Sequence, residues 1–580
     1  GAKKGEREGD GGCGELPSHG SEGSAMLPAT ISTSVAPETI NKVTRLFNGS
    51  VSDILHELLQ NARRAGASTV AVSTIGRAGD RLLHIVDDGH GIADPASIVT
   101  LGRSGWSDTI ARREDPAGMG VFSLAGRDVI IRSWSQAAHQ GWCAHIPASA
   151  WESSRPIAIS PDPIGRGTAI SIRMESAWED EVLPSLSHVA RHYPLPVTFD
   201  GKSVEQTPWL DEAIYEERWN GCRIGVVKEH HRRGGAARLN FHGLTIPCPM
   251  PVVQQVGRGE EWTVLVDIID CPAIQLVLPA RKEVVQNEAV TALREAASKA
   301  IYGAIASEGA HRLSYKDWLE ARRLGVALPE AECRLHGWCA PHAAAGESYM
   351  SGSSFNDGTM IIMPDVAAIV AQPAELAIQH HKPFAGPLVF DEPAFAGYRW
   401  YDGLARVQTL GFTVEQEGRT FHITDEEGAP SDVDNGYVEQ LTLEATVAHG
   451  GLDTKVTCSA DVAFAPDFDL STEVDDVVIF VRRGAELPAR DVISLLQRAA
   501  FDPSSDSCAD SYETQEERFR RDASDRVLAL LEGTDAALEA HIRALFRDYP
   551  VDVPTDRSVT VTMTSAGVSV TIAERQPEVG

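Results

Sequence analysis

The sequence lacks any run of 18 uninterrupted apolar residues, so no segment has the length and hydropathy of a membrane-spanning helix. Its first 25 residues are rich in Gly, Glu and Lys and lack the apolar stretch of a secretory signal. Both absences predict a soluble, cytoplasmic chain with no membrane partner. Cysteine is sparse: nine residues, odd in number, scattered and without a CxxC pair, which argues against a disulfide framework and makes reduced thiols the default. Basic side chains are in short supply, 52 against 82 acidic ones, for a formal net charge of −30. That charge repels polyphosphate at long range, so nonspecific wrapping of nucleic acid would need a local basic patch, and protein or small-molecule partners start ahead. Internal repeats are also missing.

What is present is ordinary globular material, 43% hydrophobic and 23% charged over 580 residues. That length predicts roughly three to five domains. Residues 1–25 read as a flexible leader, with Met26 as the expected native start. From 26 to 175, strand-like runs (STVAVSTI, RLLHIVDD, RDVIIRSW, GTAISIRM) alternate with helical stretches and Gly-rich loops, the pattern of a layered α/β domain. A second α/β region over 176–325 carries the strands RIGVVKEH, EWTVLVDII and AIQLVLP before the helical run NEAVTALREAASKAIYGAIA. Residues 326–410 read as a linker or small α/β region, and 411–580 as an acidic C-terminal α+β domain. Between 411 and 480, 16 Asp or Glu face only Arg419 and Lys455. The chain ends on amphipathic helical stretches and a hairpin, SVTVTMTSAGVSVTI, turning at Ser565, Ala566 and Gly567. The fold class is α+β.

Four short signals carry chemistry. In SVSDILHELLQNARRAGAS, Ser50 and Asp53 form a capping signal, Ile54, Leu55, Leu58, Leu59 and Ala62 recur at helical spacing, and Gly66 is a stop. Glu57 and Asn61, four apart, share one face beside the apolar stripe, presenting a carboxylate next to an amide. The strand RLLHIV then delivers Asp87 into Asp88-Gly89-His90-Gly91, where a carboxylate can accept from an exocyclic amine and glycines permit close ligand approach. In DPAGMGVFSLAG, Gly118 and Gly120 lead into a helical-looking run whose backbone N–H groups can hold phosphate oxygens. GRGTAISI starts a strand at Thr168, whose hydroxyl can support a base-bound water. Each alone is weak: an exposed polar pair, a strand-ending turn, a GxG, a β-forming threonine.

Taken in order, ELLQN, DDGHG, GMGVFS and GRGT resemble the GHKL ATPase superfamily of gyrase-type topoisomerases, ninety-kilodalton heat-shock chaperones, histidine kinases and MutL. The resemblance covers residues 30–175 and implies a GHKL (Bergerat) ATP-binding α/β sandwich using ATP and Mg²⁺. It implies Glu57 as the general base, Asn61 as the Mg²⁺ ligand, Asp87 with Gly89 and Gly91 as the adenine reader, and Thr168 as its support. Gly118, Met119, Gly120 and Val121 fall in the phosphate loop, and Gly102, Arg103 and Ser104 in the lid. One departure is visible: many MutL-like members carry an acidic residue three positions after the helix asparagine, and this chain has Arg64.

The second region resembles the transducer or middle domain of MutL and the heat-shock chaperones, in which a strand brings a cation to the γ-phosphate. Arg281 matches that position, with Lys282 as its neighbour. A cation there would stabilise phosphoryl charge and report ATP to the second domain. The resemblance implies an ATP hydrolase of chaperone-like type, closing and dimerising on ATP, with residues 27–48 available as an exchanged strap and a protein client or effector as partner. The rival is a MutL-like or MORC-like ATP-gated DNA clamp, supported by local basic runs such as Arg63-Arg64 and His230-His231-Arg232-Arg233. A third reading is a scaffold that senses nucleotide without hydrolysing it. Cys333, His336, Cys339 and His342 recur every three residues, but lack the usual two-knuckle zinc spacing and read as ordinary reduced residues.

Overall fold

The computed structural model describes residues 50–77, 80–98, 123–151, 156–230, 237–277, 283–345, 352–466, 474, 477–506, 508–548 and 551–574. It is a mixed α+β chain with several sheets. The first unit begins with helix α1 (Val51–Arg64), followed by β1 (Val70–Ile75), β2 (Leu82–Asp87), β3 (Val129–Ser135), β4 (Gln140–Ile146), β5 (Ile159–Asp162) and β6 (Thr168–Arg173). Helix α2 (Trp178–Ala190) and strands β7 (Val197–Phe199) and β8 (Lys202–Ser203) complete it. The four strands expected from alternation are all present. They join one eight-stranded sheet in the order β5-β4-β3-β6-β2-β1-β7-β8, antiparallel except for the β1–β7 pair.

Alternation places Val70, Val72, Leu83, Ile85, Val129, Ile131 and Ile172 in the core, where the stripe of α1 and Trp178, Val182 and Leu186 of α2 cover them. Two layers result, helices over sheet. The layer runs past residue 175 because α2 and Val197 of β7 bury their apolar groups in this same core.

The second unit is built on a six-stranded sheet with the order β12-β11-β14-β10-β9. Its strands are β9 (Tyr215–Trp219), β10 (Cys222–Glu229), β11 (Ala237–Phe241), β12 (Leu244–Pro247), β13 (Val253–Gln254) and β14 (Glu261–Ile268), with β13 paired beside β14. The expected strand AIQLVLP does not form across its described part; Leu276 makes only an isolated bridge to Val284. Helix α3 (Glu288–Ser307) follows as expected, capped by Asn287 Oδ1 accepting from Val290 N–H at 3.0 Å, and then helix α4 (Tyr315–Arg323).

Beyond it, β15 (Leu335–His336) pairs with β16 (Ser354–Phe355), and β17 (Ile361–Met363), helix α5 (Ala368–His381) and β18 (Leu388–Phe390) come next. Strand β17 lies parallel to β19 (Ala405–Gln416), so the expected linker shares a sheet with the acidic segment. That segment supplies β20 (Arg419–Ile423), β21 (Gly436–Val438), β22 (Gln440–His449), β23 (Leu452–Ser459), β24 (Val462–Pro466) and β25 (Val477–Arg482). In β22 the residues alternate between buried and accessible, so Glu444 stays accessible and pairs with Lys455 at 2.9 Å while Leu441, Leu443, Ala445 and Val447 fill a core. Helices α6 (Ala489–Ala500), α7 (Tyr512–Leu531) and α8 (Thr534–Asp548) and the hairpin β26 (Arg557–Thr564) with β27 (Gly567–Glu574) close the described chain. Among the described residues no helix is long and apolar enough to cross a membrane.

His56 of α1 titrates at the seam between the two helices of the first unit. Burial, with the nearby His188 of α2, lowers its pKa from 6.5 to about 4, against a smaller opposing pull from Asp53. The neutral imidazole is therefore the folded form, and its contribution is intact above pH 6.5 and lost as pH falls toward 4. Acidifying from pH 7 to pH 5 is expected to cost about 2 kcal/mol at this site. Urea unfolding of the wild type and His56→Gln at the two pH values checks it: the variant should lose less stability on acidification.

Candidate functional site

Helix α1 opens on Ser50, whose Oγ accepts from Asp53 N–H at 3.1 Å, and closes on Gly66 at φ +65°. Gly66 and Ala67 return their N–H groups to the Arg63 and Ala62 carbonyls, the pairing of a left-handed C-cap. The expected stripe is buried, and Glu57 and Asn61 stand half-buried on its flank, with Oε2 of Glu57 out of solvent. Arg64, only 7% exposed, directs Nη1 at Oδ1 of Asn61 at 3.3 Å. The departure noted in the sequence thus sets a guanidinium against the amide oxygen expected to hold a metal.

Strand β2 ends at Asp87, in register with Val70 of β1 and Thr168 of β6. The turn that follows is wedged between three segments. His90 N–H donates to the Ala65 carbonyl at 2.9 Å, tying the turn to the end of α1. A Cβ on Gly89 would lie 2.7 Å from both Cβ and O of Ala65, and one on Gly91, at φ +79°, would lie 2.3 Å from the Trp134 carbonyl of β3. Both glycines of the motif are therefore required by the packing itself.

The two aspartates have opposite environments. Burial pushes the pKa of Asp87 up, only partly offset by Gly89 N–H, which donates to Oδ1 at 2.9 Å, and by the Thr168 N–H. Asp88 is held down to about 2, first by the Ser68 hydroxyl, then by the Ser68 and Thr69 N–H groups on Oδ1 (2.6 and 3.1 Å) and by Arg166. Asp88 is a staple between the turn and the start of β1. Asp87 is left as a carboxylate with unused acceptor capacity in a partly dry place, the state suited to reading a donor on a ligand.

Thr168 is buried, and its Oγ1 lies 2.9 Å from Oγ of Ser133 on β3. Ser133 Oγ also accepts from Ile92 N–H at 2.8 Å and donates to the Gly167 carbonyl at 3.2 Å. A hydroxyl has one proton and two lone pairs, so the arrangement satisfying all three contacts spends the Thr168 proton on Ser133. Thr168 then offers only acceptor capacity to a water or ligand. Ser133 escaped the sequence reading, yet the signal was there: it occupies the buried phase of β3 with Val129 and Ile131, where a polar residue needs a reason.

Glu57, Asn61, Asp87, Gly89, Gly91 and Thr168 thus belong to α1 and to the strand ends bound to it. Gly102, Arg103, Ser104, Gly118, Met119, Gly120, Val121, Arg281 and Lys282 lie outside the described residues, as do the leader, residues 27–48, His231, Arg232 and Arg233. The described part of VFSLAG is a short helical turn that buries Leu124. Among the described residues no three His, Cys, Asp or Glu side chains gather as a metal site, so Cys333, His336, Cys339 and His342 do not converge.

The aspartates separate by experiment. Asp88→Asn should lower stability by about 1–3 kcal/mol through loss of charge-assisted bonds. Asp87→Asn should leave stability unchanged or raised, because burial disfavours its charge. Urea midpoints at neutral pH measure both; equal destabilisation would contradict the division of roles.

No family model matches the chain. It is similar to the DNA mismatch repair protein MutL of Prosthecochloris aestuarii, 29% identical over 129 residues. The match takes in 21% of this chain and 20% of that protein, so the chain spans about a fifth of the relative's length.

Proposed function

We propose that the chain is a GHKL-type ATPase, an ATP-binding and hydrolysing conformational switch on the MutL-like side of that superfamily. The observation carrying this is the bolt between α1 and the turn after β2: Ala65 O to His90 N–H fixes Asp87 relative to the helix bearing Glu57 and Asn61. Asp87 would accept from the adenine amine, with Thr168 accepting from a bridging water. Glu57 would take a proton from the attacking water. The limited similarity to a MutL protein favours this branch over the chaperone-like one.

The donor type at Asn61 suits Mg²⁺, which asks for one or two protein oxygens and keeps its waters. The 3.3 Å contact from Arg64 is long for a hydrogen bond and can yield to a metal, so the residues fit the ion. When bound, Mg²⁺ would neutralise phosphate charge. Arg64 would compete for the same oxygen when the site is empty, raising the Mg²⁺ concentration needed. Arg281 or Lys282 would supply the γ-phosphate contact from the second unit, and ATP-dependent closure and dimerisation would follow from unequal affinity for open and closed states.

The similarity to a protein named for DNA mismatch repair favours a DNA clamp as the output. The formal charge of −30 opposes long-range attraction to DNA, so binding would rest on local basic residues and fall steeply with salt. A protein effector remains the alternative output, distinguished by an ATPase rate indifferent to DNA.

Steady-state phosphate release tests the reading. Glu57→Ala should lower turnover by about 100-fold or more while ATP still binds. Asp87→Asn should weaken ATP and ADP alike by about 10-fold. Arg64→Gln should lower the Mg²⁺ concentration for half-maximal rate. Wild-type release no faster than that of Glu57→Ala would reject catalysis, leaving at most a nucleotide sensor.

A further inference from the structure

A cavity of about 570 Å³ opens between the second unit and the segment after β18, lined by Val252 to Arg258, Asp317 and Glu392. One residue of its lining carries an unanswered donor. Gln255 is 2% exposed; its Oε1 accepts from Arg312 N–H at 2.7 Å, which fixes the amide, and its buried Nε2 has no partner among the described residues. A buried amide donor left unsatisfied costs about 1–3 kcal/mol, which an acceptor reaching it would recover.

Beside it lies a buried cation. Arg312 is 7% exposed and gives Nε to the Val256 carbonyl at 2.8 Å and Nη1 to the Arg334 carbonyl at 2.7 Å. Among the described residues no carboxylate forms an ion pair with it. Burial lowers its pKa, against smaller opposing pulls from the Glu332 and Glu392 carboxylates. Its Nη2 lies beside Gly257, a residue of the cavity wall at φ +69°, where a Cβ would stand 3.7 Å from that nitrogen. Arg258 adds a second cation, held only loosely by Glu308 at 3.8 Å and Glu332 at 3.6 Å. The Asp317 and Glu392 carboxylates also line the cavity, and Asp317 takes the Ser314 hydroxyl at 2.6 Å.

Donors and carboxylates around one cavity fit a small ligand that carries both charges. We propose that this cavity binds a zwitterion of the α-amino-acid class, its carboxylate on Gln255 Nε2 and Arg312 and its cationic group toward Glu392 and Asp317. The site is separate from the one built on α1 and does not depend on the reading of that site.

Calorimetric titration of the full chain with L-arginine tests it, with agmatine, the same molecule without the carboxylate, as control. L-arginine should bind saturably at one site per chain, with agmatine about 10-fold weaker or more. Gln255→Glu keeps the oxygen that accepts from Arg312 N–H and places an internal carboxylate beside the guanidinium. It should therefore abolish L-arginine binding and raise the thermal midpoint. Glu392→Gln should weaken L-arginine about 10-fold. Absence of saturable heat into the millimolar range, agmatine equal to L-arginine, or Gln255→Glu binding like the wild type would each overturn the proposal.

Discussion

Three stretches of backbone meet at the turn after β2 more closely than any side chain would allow, and the site is built on that approach. Gly89 lies against Ala65 at the end of α1, and Gly91 lies against the Trp134 carbonyl of β3. Gly167, at φ +73°, lies against the Asp87 carbonyl, where a Cβ would come to 2.0 Å. Remove the glycines and the helix end, the strand end and the turn before β6 must separate. Glu57 and Asn61 would then lose their fixed relation to Asp87. The fixed relation of the helix to Asp87 is thus a consequence of steric permission in the neighbouring segments.

Within that frame, charge is divided between neighbours. Asp88 spends itself on Ser68, Thr69 and Arg166, and its depressed pKa records how much the fold gains from its ionised form. Asp87, the last residue of β2, is pushed the opposite way by burial, which the Gly89 and Thr168 N–H groups only partly offset. Adjacent identical residues therefore do different work because the strand ends between them, Asp87 closing β2 and Asp88 opening the turn. Holding Asp87 ionised costs the free protein something, and a ligand that donates to it can recover that cost.

How much of this was legible in the sequence follows from which forces are local. The helix carrying Glu57 and Asn61 was readable to its caps, because Ser50, the apolar spacing and Gly66 each act within a turn of their own position. The four strands of the first sheet were readable from alternation. Ser133 was not singled out, since its role depends on Thr168 being its register partner, a pairing set by tertiary structure. AIQLVLP looked like a strand by composition, but a strand needs a neighbour, and in its described part Leu276 finds only a bridge to Val284. The loop between residues 326 and 410 hid its allegiance for the same reason: three-residue strands such as β17 carry too little periodicity to announce a sheet they share with residues far along the chain.

The first unit does not stand alone, and the manner of its contact limits how a signal could leave it. Gln60 of α1, 5% exposed and next to Asn61, donates to the His242 carbonyl at 2.7 Å, in the turn between β11 and β12. That turn is tight: His242 sits at φ +55° and Gly243 at φ +98°, and a Cβ on Gly243 would lie 2.9 Å from Tyr193, whose hydroxyl donates to the Leu59 carbonyl at 2.6 Å. Asn240 holds the turn from below, accepting from Gly243 N–H at 2.8 Å and donating to Asp267 of β14 at 2.8 Å. A shift of α1 on ligand binding must either carry this turn along or strand a buried amide, and the second course costs about 1–3 kcal/mol. Moving the turn is therefore the cheaper course, and through Asn240 it bears on the central strand of the second sheet. The same helix that presents Glu57 and Asn61 is in this way the mechanical boundary between the two units.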